Sequence, residues 1–320
     1  METRLEPLPD MPLLPITSEE TIASCRALPV TNNDIFVCSY PKSGTTWTQN
    51  LVCRSLAAKI GMVLPDDWHL SQSAPFYEVN QYWKNHEEDP SRRRVAAKRP
   101  LEVDNVTFRV FNTHLRPHQL PPNAKCIYVM RDPLDVLTSL YYHLANMDEA
   151  DGGYTGTPQA LCAEFQTGTV VYGKWQDHME AWLGGKNNDG SGSEILLLHY
   201  EDMKTNLDEE ATKLARFLGV QEEALARVVD NAVPHCTFAA MRTERWRYTP
   251  VTVQWKKNKS TGKPYDDFVR AGRIGDGASF LDSYFTDELE KQWKKDMVIA
   301  RNRWCQAGVD PSIIVRYLKE

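Results

Sequence analysis

Apolar residues gather in short runs along this chain of 320 residues, and the runs are of two kinds. DIFVCSY (34–40) is continuous, short and bounded by Asn32-Asn33 and Pro41, which predicts a buried strand. VTFRVFNTH (106–114) and AKCIYVMR (124–131) predict a second and a third strand. EILLLHYEDM (194–203) predicts a fourth, running into a turn. Longer stretches between them carry helical spacing: about Thr45 to Ile60, DPLDVLTSLYYHLANM (132–147), and LDEEATKLARFLGV (207–220), which ends at Gly219. In VVYGKWQDHMEAWL (170–183), Val171, Trp175, His178, Met179 and Trp182 fall on or near one helical face. FTDELEKQWKKDMVIARNRWC (285–305) predicts a closing helix.

The remaining segments read as connections. Residues 1–33 are rich in proline and polar residues, with a short helix at about 18–27. Residues 64–100 mix Pro65, Pro75, Pro90 and Pro100 with aromatic residues, which suggests surface loop and short helix. GGKNNDGSGS (184–193) is a loop, and 242–279 reads as a long mobile one. Strands that alternate with helices predict an α/β fold with a central, mostly parallel sheet flanked by helices. With neither an internal repeat nor a low-complexity linker, the expectation is an N-terminal extension (1–33) and a single domain (34–320).

Composition changes this picture little. The chain is 42% hydrophobic and 25% charged, with a net charge of −6. That argues against a dedicated nucleic-acid binder but leaves room for a local basic pocket. The seven cysteines are scattered without a C-x-x-C pair, so neither a zinc site nor a disulfide framework is indicated. Cys38 and Cys126 read as small buried hydrophobes. No signal-peptide pattern and no apolar stretch near 18 residues is found, so a soluble cytoplasmic protein with no membrane partner is expected.

The chemistry begins after the first strand, at YPKSGTTW (40–47). A strand, a glycine turn and a helix aim backbone N–H groups and the helix dipole at an anion. Pro41 sets the exit from the strand, and Gly44 lets the backbone approach a ligand. Ser43, Thr45 and Thr46 add hydroxyl donors, and Lys42 adds a positive charge. The common nucleotide loop, G-x-x-x-x-G-K-[ST], places its lysine at the helix start. Here the first glycine is missing and Lys42 precedes Gly44. At the end of the third strand, Arg131 is placed for a bidentate phosphate contact, with Ser139 two helical turns beyond. His114 ends the second strand; its ring type can accept a proton near neutral pH. His118 stands four residues further on.

Together these segments resemble the cytosolic sulfotransferases, which depend on 3′-phosphoadenosine 5′-phosphosulfate. YPKSGTTW is similar to the family's 5′-phosphosulfate loop, which implies donor contacts from Lys42, Ser43, Gly44, Thr45, Thr46 and Trp47. VMRDPLDVLTSLYYH (129–143) resembles the 3′-phosphate motif, with Arg131 and Ser139. NTHLRP (112–117) resembles the segment that supplies the general base, which implies His114 in that role and Asn112 beside the acceptor. Gly173, Trp175, His178 and Trp182 match a family helix read here as packing. Tyr200 matches a tyrosine that approaches the adenine. HCTFAAM (235–241) is similar to the segment that closes over the base, with Cys236, Thr237, Phe238 and Met241. FVRAGRIGD (268–276) resembles the cap on the 3′-phosphate, with Arg270, Ala271 and Gly272. The resemblance runs from about 34 to 276.

The resemblance implies sulfuryl transfer from that cosubstrate to a hydroxyl or amine, without a metal. His114 would take the acceptor proton. Lys42 would stabilise the leaving phosphate, and Ser139 would hold Lys42 until an acceptor arrives. Trp47 and Phe238 would sandwich the adenine. Aromatic residues in loops 64–90, 144–158 and 240–268 favour a phenol, sterol or other small apolar alcohol. The chain departs from the family at Asn112 and Ala271, where lysines are usual, and at Gly275-Asp276-Gly277-Ala278. The family's C-terminal dimer motif is not recognisable, which leaves monomer or homodimer. A P-loop kinase-like phosphotransferase shares the architecture, and an inactive nucleotide-binding protein on the same fold is a third reading.

Overall fold

The computed structural model describes residues 11–83, 101–103, 106–184, 192–257 and 268–318. Most of the GGKNNDGSGS loop and parts of the expected loops at 64–100 and 242–279 lie outside them. The strands are β1 (Asp34–Ser39), β2 (Leu101–Val103), β3 (Val106–Thr113), β4 (Lys125–Met130) and β5 (Glu194–His199). They form one sheet in the order β2-β3-β1-β4-β5. β3, β1, β4 and β5 run parallel, and β2 pairs antiparallel with β3 at the edge. The central strand β1 is buried at every position, as a parallel strand covered on both faces must be.

Side-chain alternation assigns the faces. Phe36, Cys38, Phe111, Cys126, Tyr128 and Met130 point into one core, and Ile35, Val37, Val110, Ile127 and Val129 into the other. Each fully buried side chain of this size contributes about 1.5–3 kcal/mol relative to exposure. The helices are α1 (Glu19–Ala27), α2 (Thr45–Lys59), α3 (Leu70–Ser73), α4 (Pro133–Asn146), α5 (Pro158–Thr167), α6 (Trp175–Gly184) and α7 (Tyr200–Thr205). They continue with α8 (Leu207–Phe217), α9 (Glu222–Ala232), α10 (Phe238–Thr243), α11 (Asp276–Tyr284), α12 (Asp287–Gln306) and α13 (Pro311–Tyr317). Helices α4, α5, α6, α12 and α13 bury side chains in the first core, and α2, α8 and α9 in the second.

Several expectations shift. The helix expected over 170–183 begins only at Trp175, because Tyr172 (φ 67°) and Gly173 (φ 71°) are left-handed. The apolar run to 203 breaks at Tyr200, where α7 starts. Helices α5, α9 and α13 occupy stretches to which no element was assigned, and α11 forms within the expected loop. The described part of the 64–100 segment is not a surface loop. Trp68, Tyr77 and Glu78 are almost wholly buried, and the chain there lies along β3, with Tyr77 N–H donating to the Asn112 carbonyl and Asn112 N–H to that of Pro75. Its aromatic residues follow burial rather than loop polarity. Residues from 11 onward also enter the core: Met11, Leu14, Cys25 and Leu28 are buried, and Tyr172 N–H donates to the Pro12 carbonyl at 2.7 Å. Among the described residues, no helix is long and apolar enough to cross a membrane.

Candidate active site

One cavity opens at the carboxyl ends of β1, β3 and β4, where the loop after β1 begins. That loop is held by its own backbone. Lys42 is left-handed (φ 69°), and Gly44 (φ 107°) is the N-cap of α2. A Cβ on Gly44 would sit 2.8 Å from the Tyr200 ring, so both the dihedral and the ring demand glycine. Gly44 offers no side-chain cap, so the first N–H groups of α2 stay available to a ligand. Lys42, Gly44, Thr45, Thr46 and Trp47 line the cavity. Ser43 does not; it is buried with an unpaired hydroxyl.

Arg131 follows β4 and is 6% exposed. Its Nη1 donates to the Lys42 carbonyl (3.1 Å) and its Nη2 to that of Arg273 (3.0 Å), while the guanidinium lies 4.2 Å over the Tyr200 ring. Its Nε is buried without a partner. The Arg273 contact folds the segment carrying Arg270, Ala271 and Gly272 over the site, and all three line the cavity. A Cβ on Gly272 (φ 57°) would come 2.5 Å from the Phe238 ring. Beneath that segment, Asp135 accepts from Gly275 N–H (2.9 Å) and Gly277 N–H (2.7 Å).

Phe238, Met241, Tyr200 and Trp47 line the same region. Trp47 meets Tyr200 edge to face at 5.4 Å and donates its indole N–H to the Cys236 carbonyl at 2.6 Å. Cys236 and Thr237, expected beside the base, do not reach the cavity. Cys236 is buried against Asn50, and the Thr237 hydroxyl caps α10 by accepting from Ala240 N–H.

His114 leaves β3 on the opposite wall. Its Nδ1 lies 2.9 Å from the Ser39 carbonyl. A carbonyl only accepts, so Nδ1 carries the hydrogen and Nε2 keeps its lone pair. Burial, with Lys42 adding to it, pushes the imidazole down to about 4 against the opposing pull of the Ser39 carbonyl. The ring is held edge-on by Phe76 (5.5 Å) and Tyr172 (5.2 Å). The backbone is pinned on both sides. His114 N–H donates to Glu78 Oε1 (2.8 Å), and its carbonyl accepts from His178 Nε2 (2.9 Å). Both partners are wholly buried, and burial raises the Glu78 carboxyl to about 7. The packing helix thus also fixes the His114 backbone, which the sequence pattern did not reveal. His118 is exposed and outside the cavity.

Lys42 joins the two walls. Burial, then Arg131 and Arg270, lower its ammonium to about 7. Its Nζ is 3.2 Å from His143 Nδ1 and 4.4 Å over the Phe268 ring. The expected partner was Ser139; His143, one turn further along α4, takes its place, while Ser139 lines the cavity. Asn112 also lines it, with a buried, unpaired Oδ1. Past His114 the cavity turns apolar, with Leu14, Leu144, Met147, Val171 and Val253. Among the described residues no cluster of histidine, cysteine, aspartate or glutamate side chains has the arrangement of a metal site.

The sulfotransferase domain model matches residues 32–300. Sulfotransferase 2B1 of Mus musculus is 32% identical over 294 residues, covering 88% of this chain and 77% of that protein. The amine sulfotransferase of Oryctolagus cuniculus is 30% identical over 276 residues, covering 84% and 82%. The fold is similar to that of mouse sulfotransferase SULT7A1 in complex with PAP, with a TM-score of 0.59 at 22% identity over 92% and 95% of the two chains. Retinol dehydratase, in complex with androsterone and PAP, gives the same score and identity over 88% and 84%. A cavity lined by a lysine-first loop, a strand-end arginine and a half-buried histidine thus sits in a chain that belongs to the sulfotransferase family.

Proposed function

We propose that the protein transfers a sulfuryl group from 3′-phosphoadenosine 5′-phosphosulfate to the hydroxyl of a small, largely apolar acceptor. The observation that carries this reading is the meeting of two networks at Lys42. One network is an anion site; the other holds a histidine with its lone pair free. The residues suit the donor. The uncapped start of α2 and Lys42 offer N–H groups to a 5′-phosphosulfate. The buried Ser43 hydroxyl and Arg131 Nε lack partners, and such groups are costly to leave unpaired. Arg131, Ser139 and Arg270 would hold the 3′-phosphate, and Trp47 and Phe238 the adenine.

When bound, the donor supplies a sulfuryl group whose bond to the bridging oxygen breaks as the acceptor oxygen bonds to sulfur, the electron pair leaving with the 5′-phosphate. His114 Nε2 takes the acceptor proton and later returns it to solvent. Lys42 Nζ and the N–H groups of 44–47 stabilise the charge that develops at the bridging oxygen, the Ser43 N–H being held by the Tyr40 carbonyl. Ser39, Glu78 and His178 keep His114 in one tautomer and position. The acceptor lies along the apolar wall, in keeping with a structural neighbour that holds androsterone. We place this chemistry in the cytoplasm.

Purified protein, labelled donor and a panel of phenols, sterols and amines test the reading. Label should pass to at least one class of alcohol without added magnesium. A strict metal requirement with ATP as donor would favour the kinase-like alternative. Tight donor binding without transfer to any acceptor would favour an inactive nucleotide-binding protein.

A further inference from the structure

His143 has no place in the chemistry just described, yet it touches the cation at its centre. While Lys42 is protonated, its ammonium has hydrogens to give and no lone pair, so His143 Nδ1 accepts in their 3.2 Å contact. The imidazole is neutral, because burial and the charges of Lys42 and His114 hold it well below its ordinary value. A neutral ring with its lone pair on Nδ1 carries its hydrogen on Nε2. No other hydrogen bond to this ring exists among the described residues. The ring is fixed edge-on by Trp255 (5.2 Å) and Phe268 (5.7 Å).

Two imidazoles of opposite character therefore line one cavity. His114 presents a lone pair, and His143 presents an N–H. Apart from Lys42 and Ser139, the residues that line the cavity nearest His143 on α4 are apolar, Leu140 and Leu144, with Met147 and Val253 beyond. An N–H in such a wall favours a ligand that brings it an oxygen and penalises one that does not. Lys42 keeps two further hydrogens for the transferring group while it is bound to His143. His143 thus stands one hydrogen bond from the reacting centre, and the oxygen it seeks is a near neighbour of the reacting hydroxyl.

We propose that His143 reads the acceptor, selecting phenols that carry an oxygen ortho to the hydroxyl that is sulfated. This rests on the sulfotransferase reading above. The test compares 2-methoxyphenol with 2-ethylphenol, which has the same shape without the oxygen, at saturating donor. The wild type should prefer 2-methoxyphenol about tenfold in kcat/KM, the worth of one hydrogen bond. In His143→Phe, which keeps an aromatic ring between Trp255 and Phe268, both rates fall as Lys42 loses its partner, and the ratio drops to near one. His143→Asn, which restores an N–H donor, recovers part of the preference. A wild-type ratio within twofold of one, or an unchanged ratio in His143→Phe, overturns the inference while transfer to both phenols upholds the sulfotransferase reading. Transfer to other acceptors but to neither phenol also overturns the inference alone. Failure with every acceptor overturns both.

Discussion

Lys42 carries more of the site than any other residue, and its charge is finely placed. Burial and two arginines bring its ammonium down to about 7, so the free protein loses this cation as pH rises through neutrality. The sign follows directly: below that value the amine is charged and attracts the donor, and above it the attraction is lost. We expect the affinity of wild type for the desulfated donor, taken relative to Lys42→Arg, to fall about tenfold between pH 6 and pH 9. The guanidinium stays charged over that range, so the ratio isolates the lysine; a pH-independent ratio would show that Lys42 does not titrate there. The placement of Lys42, Gly44, His114 and Arg131 around one cavity was legible in the sequence because each has a defined place at the end of a strand. The Lys42–His143 contact was not. His143 lies four residues after Ser139 and so on the same face of α4, but the reach of a lysine from another element chooses between them. Glu78 was hidden for a related reason, since a carboxylate between aromatics in a proline-bearing segment carries no sign of lying beneath His114.

At the scale of elements, the segment that folds over the cavity depends on α4 as much as on its own residues. Asp135 is 1% exposed and accepts from both Gly275 and Gly277, which ties the start of α11 to α4. A Cβ on Gly277 would come 2.5 Å from the Leu134 backbone, so the glycine permits this docking. Asp135→Ala removes the shared acceptor of the Gly275 N–H and the buried Gly277 N–H, at a cost of about 1–3 kcal/mol. We expect a lower unfolding midpoint together with at least tenfold weaker binding of the desulfated donor, because Arg270 and Arg273 lose their support. An unchanged affinity in a destabilised protein would show that the cap stands without this tie. The sequence revealed the buried parallel strands most clearly, since their apolar runs are continuous. It obscured α5, although Thr157, Pro158 and Gly168 bracket that helix as cap, first residue and stop. Conversely, the helical spacing of 170–174 was overridden by the left-handed pair Tyr172 and Gly173, which turns Tyr172 toward His114 and the N-terminal segment.

Across the whole molecule, the sheet brings three strand ends together, and each supplies one part of the site: Lys42 after β1, His114 after β3 and Arg131 after β4. Residues 11–14, 76–78 and 268–272 then close around them from distant parts of the chain. Alternating strands and helices made the layered fold legible. The closing segments were less so, because their burial depends on contacts with elements far away in sequence. The central claim is that the donor site and the base are separate networks joined at Lys42. It predicts that the base can be removed without disturbing donor binding. The most direct measurement is single-turnover transfer of labelled sulfuryl by wild type and His114→Ala, with the affinity for the desulfated donor measured on the same samples. Removing a general base costs about 10²–10⁴-fold in rate, so transfer should fall by at least a hundredfold while affinity stays within threefold. Transfer that survives above a few per cent, or affinity that falls in step with it, would contradict the account.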